Sequence, residues 1–596
     1  MDFLERNKND FTFTFKNIHY EVELLNKETN EYYTKNIIAD TTSQGKSGEI
    51  MAIMGPSGSG KTSLLNFITN RVEFGSNSKH SGSLYINSEE ISFEDIPNYS
   101  AYVMQDDVLF DILTPYESIW YSCKLRKIVE DDKIEECVQG MINDLQLTGC
   151  KDTFIGSHMM KGVSGGERKR TSIGIEMISN PEILFLDEPT SGLDSQTSYQ
   201  IISLLKRIAK EKNILVVCTI HQPSSNIFNM FDKLLIVEKG NMIYNDTPTN
   251  IVPYFESVKK PINPHVNPAD GFMRILEENS MGDKPSYFID TYQEEVKRNE
   301  KAVEEYLRST KVGNNIHSKN TKAADYFEAS LILSKRAFQN VVRNPMILRM
   351  RFGFNILMSF FISSVFWKLD KDNSIGMYGR VGLFFFIAVN VFMSVVMGTI
   401  LSFPIERAVF IREYSSKLYT IASYYTAKNI VETPVILIIN TILFTICYFT
   451  AGMRLVSAKY FFIWYGVLLL HTLCAQSLGY ALGTMFSDIN AAMSSANIIV
   501  MPFILFAGTL INEESMPRFL FWIKYLSPLK YAIETLSRNE LQDNSEITYL
   551  GGGNEFLDTL NFELTTGTCI GILAGMIFLY RIMAYIFLKL LVRKAG

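Results

Sequence analysis

Two kinds of hydrophobic patterning divide the chain near residue 325. Before that point, apolar residues come in short runs bounded by glycine, proline and charged residues: Glu49-Ile-Met-Ala-Ile-Met54, Ile183-Leu-Phe-Leu186 and Ile214-Leu-Val-Val-Cys-Thr-Ile220. Runs of this length without alternation predict strands buried on both faces, as in a parallel sheet. Ser63-Leu-Leu-Asn-Phe-Ile-Thr69 begins a helix. Residues 279–325 are polar and Lys-rich and read as a linker. The segment 326–345 reads as an amphipathic helix on a membrane surface, stopped by Asn344-Pro345. Six apolar stretches follow, at about 350–368, 381–403, 429–451, 460–484, 490–511 and 567–588, each near the length that crosses a hydrocarbon core.

Composition adds limits. At 596 residues two or more domains are expected. A net charge of −6 argues against a nucleic-acid partner. The seven cysteines show no metal-ligand spacing, and those of the first half read as reduced cytosolic thiols. Met1-Asp-Phe-Leu-Glu-Arg-Asn-Lys8 lacks the apolar core of a cleaved signal peptide. An even number of spans puts both termini on one side. The basic residues Arg407, Arg412, Lys417 and Lys428, with Lys589, Arg593 and Lys594, mark that side as cytosolic.

The first half carries the chemistry. Gly55-Pro56-Ser57-Gly58-Ser59-Gly60-Lys61-Thr62 fits the phosphate-loop pattern G-x-x-x-x-G-K-[ST] in full, between a predicted strand and a helix opening at Ser63. Its glycines let backbone N–H groups close round a β-phosphate, and the helix N-terminus adds positive dipole. Lys61 is expected at the β/γ-phosphates of ATP and Thr62 on Mg²⁺. Asp187 and Glu188 end the second strand, where ligands of parallel sheets sit. Asp187 suits Mg²⁺, and Glu188 suits a general base polarising the attacking water. An acid–acid–Pro turn by itself is more often merely solvated. His221 ends the third strand, which favours a γ-phosphate contact over a structural role.

Gln105, Ser164-Gly165-Gly166, Asp187-Glu188, Ser191-Gly-Leu-Asp194 and His221, in this order over about residues 10–275, resemble the full motif set of the ABC ATPases. The resemblance implies an α/β P-loop ABC ATPase domain (1–278) followed, after the linker and connecting helix, by an all-α six-helix transmembrane domain (346–596). It also implies two ATPase domains facing head-to-tail, each ATP lying between one phosphate loop and the partner's Ser164–Gly166. By the same resemblance Gln105 senses Mg²⁺ and relays to the membrane domain, and Asp194 communicates across the interface. An aromatic is expected to stack on adenine; Tyr20 is the candidate, with Phe11 to Phe15 competing. Val163-Ser-Gly-Gly-Glu167-Arg-Lys-Arg170, Tyr102-Val-Met-Gln105-Asp-Asp-Val-Leu109, Thr219-Ile-His-Gln-Pro-Ser-Ser225 and Asn267-Pro-Ala-Asp270 are similar to the eukaryotic G subfamily, the White-type half-transporters. Gly271 departs from that pattern and predicts a local bulge.

In the membrane half, Phe403 to Pro434 again resembles the G subfamily. The resemblance assigns Glu406, Arg407, Arg412 and Glu413 to a short helix that couples to the ATPase near Gln105; the alternative is a plain positive-inside loop. It places a substrate slit on the dimer axis, here Asn390, Phe392, Met393, Asn497, Met501 and Phe506, with simple packing as the rival for each. It reads 512–566 as a re-entrant helix pair with a small external cap, free of cysteine. Ionisable groups at membrane depth are functional suspects: Glu432 and Arg581 are expected to pair directly or through polar neighbours. His471 is read either as ligand-facing or as a packing residue, and Arg349 and Arg351 should reach the inner headgroups. The resulting expectation is a multi-pass protein of the plasma or an internal membrane, with cytosolic ATPase and termini. It works as a homodimer, or as a heterodimer with another half-transporter, among membrane lipids, exporting a hydrophobic or amphipathic small molecule (lipid, sterol or xenobiotic). An ATP-gated channel wants a polar stripe along a span, and a mechanical signal transmitter wants a large external domain. Neither feature is evident.

Overall fold

The computed structural model describes residues 10–25, 30–72, 75, 77–157, 160–280, 288, 301, 303–307, 324–371, 373–486, 488–511, 517–544, 547 and 552–595. The expected linker falls almost wholly outside these, as does part of the expected cap. The chain forms two compact units, Met1–Ala324 and Asp325–Ala595.

The first unit is built on one ten-stranded sheet. Its strands are β1 (Thr12–Leu25), β2 (Tyr32–Lys46), β3 (Ile50–Met54), β4 (Ser78–Ile86), β5 (Glu89–Ile91), β6 (Ser100–Val103), β7 (Ile183–Leu186), β8 (Leu215–Thr219), β9 (Lys233–Glu238) and β10 (Asn241–Asp246). They lie in the order β5-β4-β1-β2-β10-β9-β3-β8-β7-β6. The three apolar runs are β3, β7 and β8: adjacent, parallel and buried at every residue. Being parallel, they deliver the phosphate loop, Asp187-Glu188 and His221 to one edge of the sheet. Antiparallel β1, β2, β4 and β5 form the other end.

Helices α1 (Lys61–Ile68), α2 (Pro115–Arg126), α3 (Ile134–Asp144), α4 (Gly165–Met177), α5 (Ser195–Lys212), α6 (Ser225–Phe228), α7 (Ile251–Ser257) and α8 (Pro268–Ser280) complete the unit. Two begin at residues of the motif set. Ser164 caps α4 in a reciprocal capping box with Glu167, and Asp194 caps α5 by accepting from the N–H groups of Gln196 and Thr197 at 3.0 Å. The two helix starts touch: a Cβ on Gly166 would lie 2.4 Å from the Thr197 methyl. The expected bulge at Gly271 is absent, because the helix runs through it. Glycine serves there to let α8 approach Ile262, whose Cγ2 would lie 2.4 Å from an added Cβ.

The second unit is helical. It comprises α9 (Tyr326–Val342), α10 (Pro345–Val365), α11 (Ser374–Ser415), α12 (Ile421–Thr450), α13 (Ala458–Met485), α14 (Ile489–Leu505), short α15 (Ile523–Leu526), α16 (Pro528–Leu541), α17 (Gly552–Thr559) and α18 (Thr566–Ala595). Each predicted span coincides with one helix. Ser374–Pro404, Ile421–Thr450, Ala458–Met485 and Thr566–Arg593 are long and apolar enough to cross a membrane, whereas α14 has 17 residues and α10 opens with Arg349 and Arg351. Arg351 is turned inward, donating to the carbonyl of Gly398 at 3.1 Å rather than reaching for headgroups. The 42 residues of α11 extend about 63 Å at 1.5 Å per residue, twice a hydrocarbon core. The stretch expected as a loop after Phe403 is therefore a continuation of α11 through Pro404.

Two carboxylates tie that continuation to its neighbours. Glu413 receives both Arg336 nitrogens of α9 at 2.7 Å and the Tyr419 hydroxyl at 2.7 Å. Glu406 receives Asn340 at 2.9 Å, Tyr424 at 2.9 Å and Lys428 at 2.8 Å. The opposite face of α9 leaves Phe327, Leu331, Phe338 and Val342 exposed at i, i+4, i+11 and i+15, an apolar stripe. Burial opposes the charge of Glu413, yet Arg336, Arg412 and the Tyr419 hydroxyl hold its pKa below the ordinary carboxylate value.

Arg336→Ala strands a buried carboxylate and should cost about 3–5 kcal/mol of stability, seen in thermal unfolding of the purified protein, whereas Arg336→Met with Glu413→Leu should recover most of it. Because the Glu413 pKa is depressed on folding, its contribution is full above the unfolded value of about 4.3 and is lost as pH falls through the folded value. The stability gap between wild type and Glu413→Gln should narrow over that acid window. Gly166→Ala should lower ATPase activity and stability by about 1–3 kcal/mol of overpacking. Adding Thr197→Ser, which removes the obstructing methyl and keeps the hydroxyl bond to Asp194, should restore both.

Candidate functional site

The phosphate loop joins β3 to α1, with Gly60 in a left-handed conformation before the helix. Lys61 is buried, its ammonium donating to the carbonyls of Gly55 at 2.8 Å and Pro56 at 2.9 Å. Burial lowers its pKa, against the raising fields of Glu188 and Asp187. Asp187, at the tip of β7, is also buried; its Oδ1 accepts from Thr62 at 3.1 Å and Thr219 at 2.6 Å. Thr219 was not among the expected site residues. It accepts the Glu188 N–H at 2.8 Å as well, and so fixes both carboxylates.

Glu188 has φ +42°, a left-handed backbone that a non-glycine residue holds only where its surroundings impose it. Its carboxylate accepts from the Gln105 amide at 2.8 Å. Glu188, Ser191 and His221 line one cleft of about 400 Å³. Glu188 and His221, the residues expected as general base and γ-phosphate contact, therefore share a cavity at the end of the parallel strands. One carboxylate, one hydroxyl and the Gln105 amide oxygen are hard oxygen donors that suit Mg²⁺. Among the described residues there is no cluster of three or more His, Cys, Asp or Glu that could hold a metal.

Ser164 and Gly165 are exposed at the start of α4, where helix N–H groups can receive an anion. Asp194 is engaged as the cap of α5, and the Thr197 hydroxyl and main-chain N–H groups lower its pKa. Phe11, Phe13 and Phe15 are buried in the core, which removes them as adenine platforms. Tyr20 is partly exposed, with its ring 6.0 Å from Phe67.

The second unit holds a cleft of about 670 Å³ lined by Phe354, Phe385, Phe386, Val389, Asn390, Met393, Ser394, Met397, Ile504 and Leu510. Asn390 and Met393 are there as expected from the sequence. Phe392 is not: it lies two residues round the helix from Asn390, fully buried and stacked on His471 at 5.3 Å. Phe506 is likewise buried. Asn497 and Met501, one turn apart on α14, are exposed outside the cleft. The spacing 386, 389/390, 393, 397 is a helical face, a signal that the sequence contained. His471 is fully buried and takes the packing role, its Nε2 lying 3.0 Å from the carbonyl oxygen of Ala388.

Glu432 and Arg581 do not bond each other. Glu432 accepts from Tyr480 at 2.7 Å and pairs with Lys428 at 2.9 Å, while Arg581 donates to Ser477 at 3.2 Å. Both are thus held on one turn of α13. Among the residues expected to couple, Glu406 and Glu413 face inward to α9 and α12 as described, Arg412 lies 3.6 Å from Glu413, and Arg407 donates to the carbonyl of Phe486 at 3.3 Å.

A family profile described as ABC transporter matches residues 39–191, and profiles described as ABC-2 type transporter match 328–541 and 221–286. The chain is 31% identical to ABC transporter G family member 22 of Arabidopsis thaliana, across 96% of this chain and 78% of that one. Member 21 of the same plant is 32% identical, across 91% and 84%. Protein white of Drosophila melanogaster is 30% identical, across 94% and 84%. With the nucleotide-site geometry and the helical membrane unit, these relatives show that the chain is a multi-pass membrane ATPase of the ABC transporter G family, coupling ATP hydrolysis to transport.

Proposed function

We propose that two copies of the chain assemble and export a hydrophobic or amphipathic small molecule, with the ATPase and both termini on the cytosolic side. Each ATP lies between the phosphate loop of one copy and Ser164–Gly166 of the other. Thr62, Asp187 and Gln105 would hold Mg²⁺, which would supply positive charge against that developing on the phosphates. Gln105, now bonded to Glu188, would turn to the ion when it is bound, leaving that carboxylate able to take a proton from water, and His221 steadies the γ-phosphate. Asp194 orders the helix facing the partner, and Tyr20 supports adenine.

The observation that carries the reading of a hydrophobic or amphipathic cargo is the membrane-unit cleft: aromatic and thioether walls, one amide and one hydroxyl, and no charge. Such a lining suits a flat apolar cargo with a single polar group. Asn497 and Met501, exposed on α14, suit the facing wall supplied by a second copy. The cluster of Arg336, Glu413, Glu406 and Lys428 supports a rigid transmission element. Glu432, Tyr480, Ser477 and Arg581 steady the bundle. The exposed stripe of α9 favours contact with inner-leaflet lipid.

The test is ATPase activity of the full chain in lipid nanodiscs with a sterol, phospholipid and drug panel. Wild type should hydrolyse ATP and respond to one cargo class, and Glu188→Gln should lose about 10²–10⁴-fold. A wild type that binds ATP without turnover would replace the homodimer with a heterodimer. Asn390→Leu should raise the cargo concentration for half-stimulation about 2- to 10-fold, the worth of one hydrogen bond.

A further inference from the structure

The basic run after the Ser164–Gly166 turn is not a solvated charge patch. Lys169 is 2% exposed, and its ammonium donates to the carbonyl of Gln105 at 2.7 Å and approaches that of Met104 at 3.5 Å. It lies 2.9 Å from the carboxylate of Asp107. Next to it, Arg168 donates to Asp111 at 3.3 Å and to the carbonyl of Gly156. Two successive cations of α4 are thus anchored on the single segment 104–111. The same Gln105 bonds Glu188 through its side chain at 2.8 Å.

We propose that Lys169 is a positioning residue that couples the two ATP sites, transmitting the state of Gln105 in its own site to the turn that faces the partner's ATP. The inference rests on the two-copy reading above. Its physical basis is the stiffness of the links. Lys169 stands three residues beyond Gly166, about 4.5 Å along one helix, so α4 moves it and the turn together. A desolvated ammonium with two carbonyls and a carboxylate keeps its partners, since stranding it is costly. When Gln105 leaves Glu188 for the ion, its main chain draws on Lys169 and so on the start of α4. Coupling of this kind acts reciprocally on binding.

The experiment is equilibrium binding of a non-hydrolysable ATP analogue with Mg²⁺ to the full chain in nanodiscs, alongside ATPase turnover. Wild type should bind cooperatively. Lys169→Met should bring the Hill coefficient to about 1 and lower turnover by about 5-fold or more, the lower end of typical coupling. Lys169→Arg should recover part of both. A merely structural lysine would lower thermal stability and leave the Hill coefficient in place, and that result overturns the proposal, as does a wild type with independent sites. If Lys169→Met fails to reach the membrane, Asp107→Asn is judged by the same criteria. A wild type without turnover, or binding one nucleotide per isolated chain, would instead overturn the two-copy reading.

Discussion

A charge taken out of water must be answered by a partner in contact with it, and both units of this chain are organised round that requirement. In the nucleotide-binding unit Asp187 is held by Thr62 and Thr219, and Lys169 by two carbonyls and Asp107. In the membrane unit Glu413 is held by Arg336 and Tyr419, Glu406 by Lys428, Tyr424 and Asn340, and Glu540 by Arg380 at 2.7 Å. Each set draws on residues distant in sequence. The charges therefore do more than stabilise: they specify which helix or strand lies beside which.

The nucleotide site inherits its geometry from these constraints. Thr219 on β8 fixes the carboxylate of Asp187 and the main chain of Glu188, so the β7–β8 register sets where Glu188 stands. The left-handed turn at Glu188 then aims its carboxylate at Gln105. From there Lys169 carries the connection into α4. No element of this path is apolar packing alone.

What could be read beforehand followed from local rules. The phosphate loop lies between a buried strand and a helix because the glycine spacing and the apolar run both demand it, and the four helices long and apolar enough to cross a membrane are visible as long apolar stretches. Orientation was less legible. The 42-residue helix α11 is apolar nearly all round its membrane part, so its sequence does not say which side meets a cavity, and Phe392 turned out to face His471. The stretch after Phe403 was open to a loop, yet α11 continues through Pro404. Gly271 suggested a bulge and is a packing contact. Thr219 sat inside a recognised motif, but only the pairing of β7 with β8 reveals that its hydroxyl reaches Asp187. Long-range pairing decides such matters, and local pattern cannot supply it.

The central claim is that each nucleotide site is completed by a second chain, and cross-linking tests it most directly. Ser57→Cys and Ser164→Cys can be placed together in full-length Glu188→Gln protein in nanodiscs; all seven native thiols are buried, so the introduced pair dominates oxidation. The account predicts a covalent two-chain species that forms with ATP and Mg²⁺ and not without nucleotide. A disulfide closed within one chain, or no two-chain species with ATP present, would contradict it.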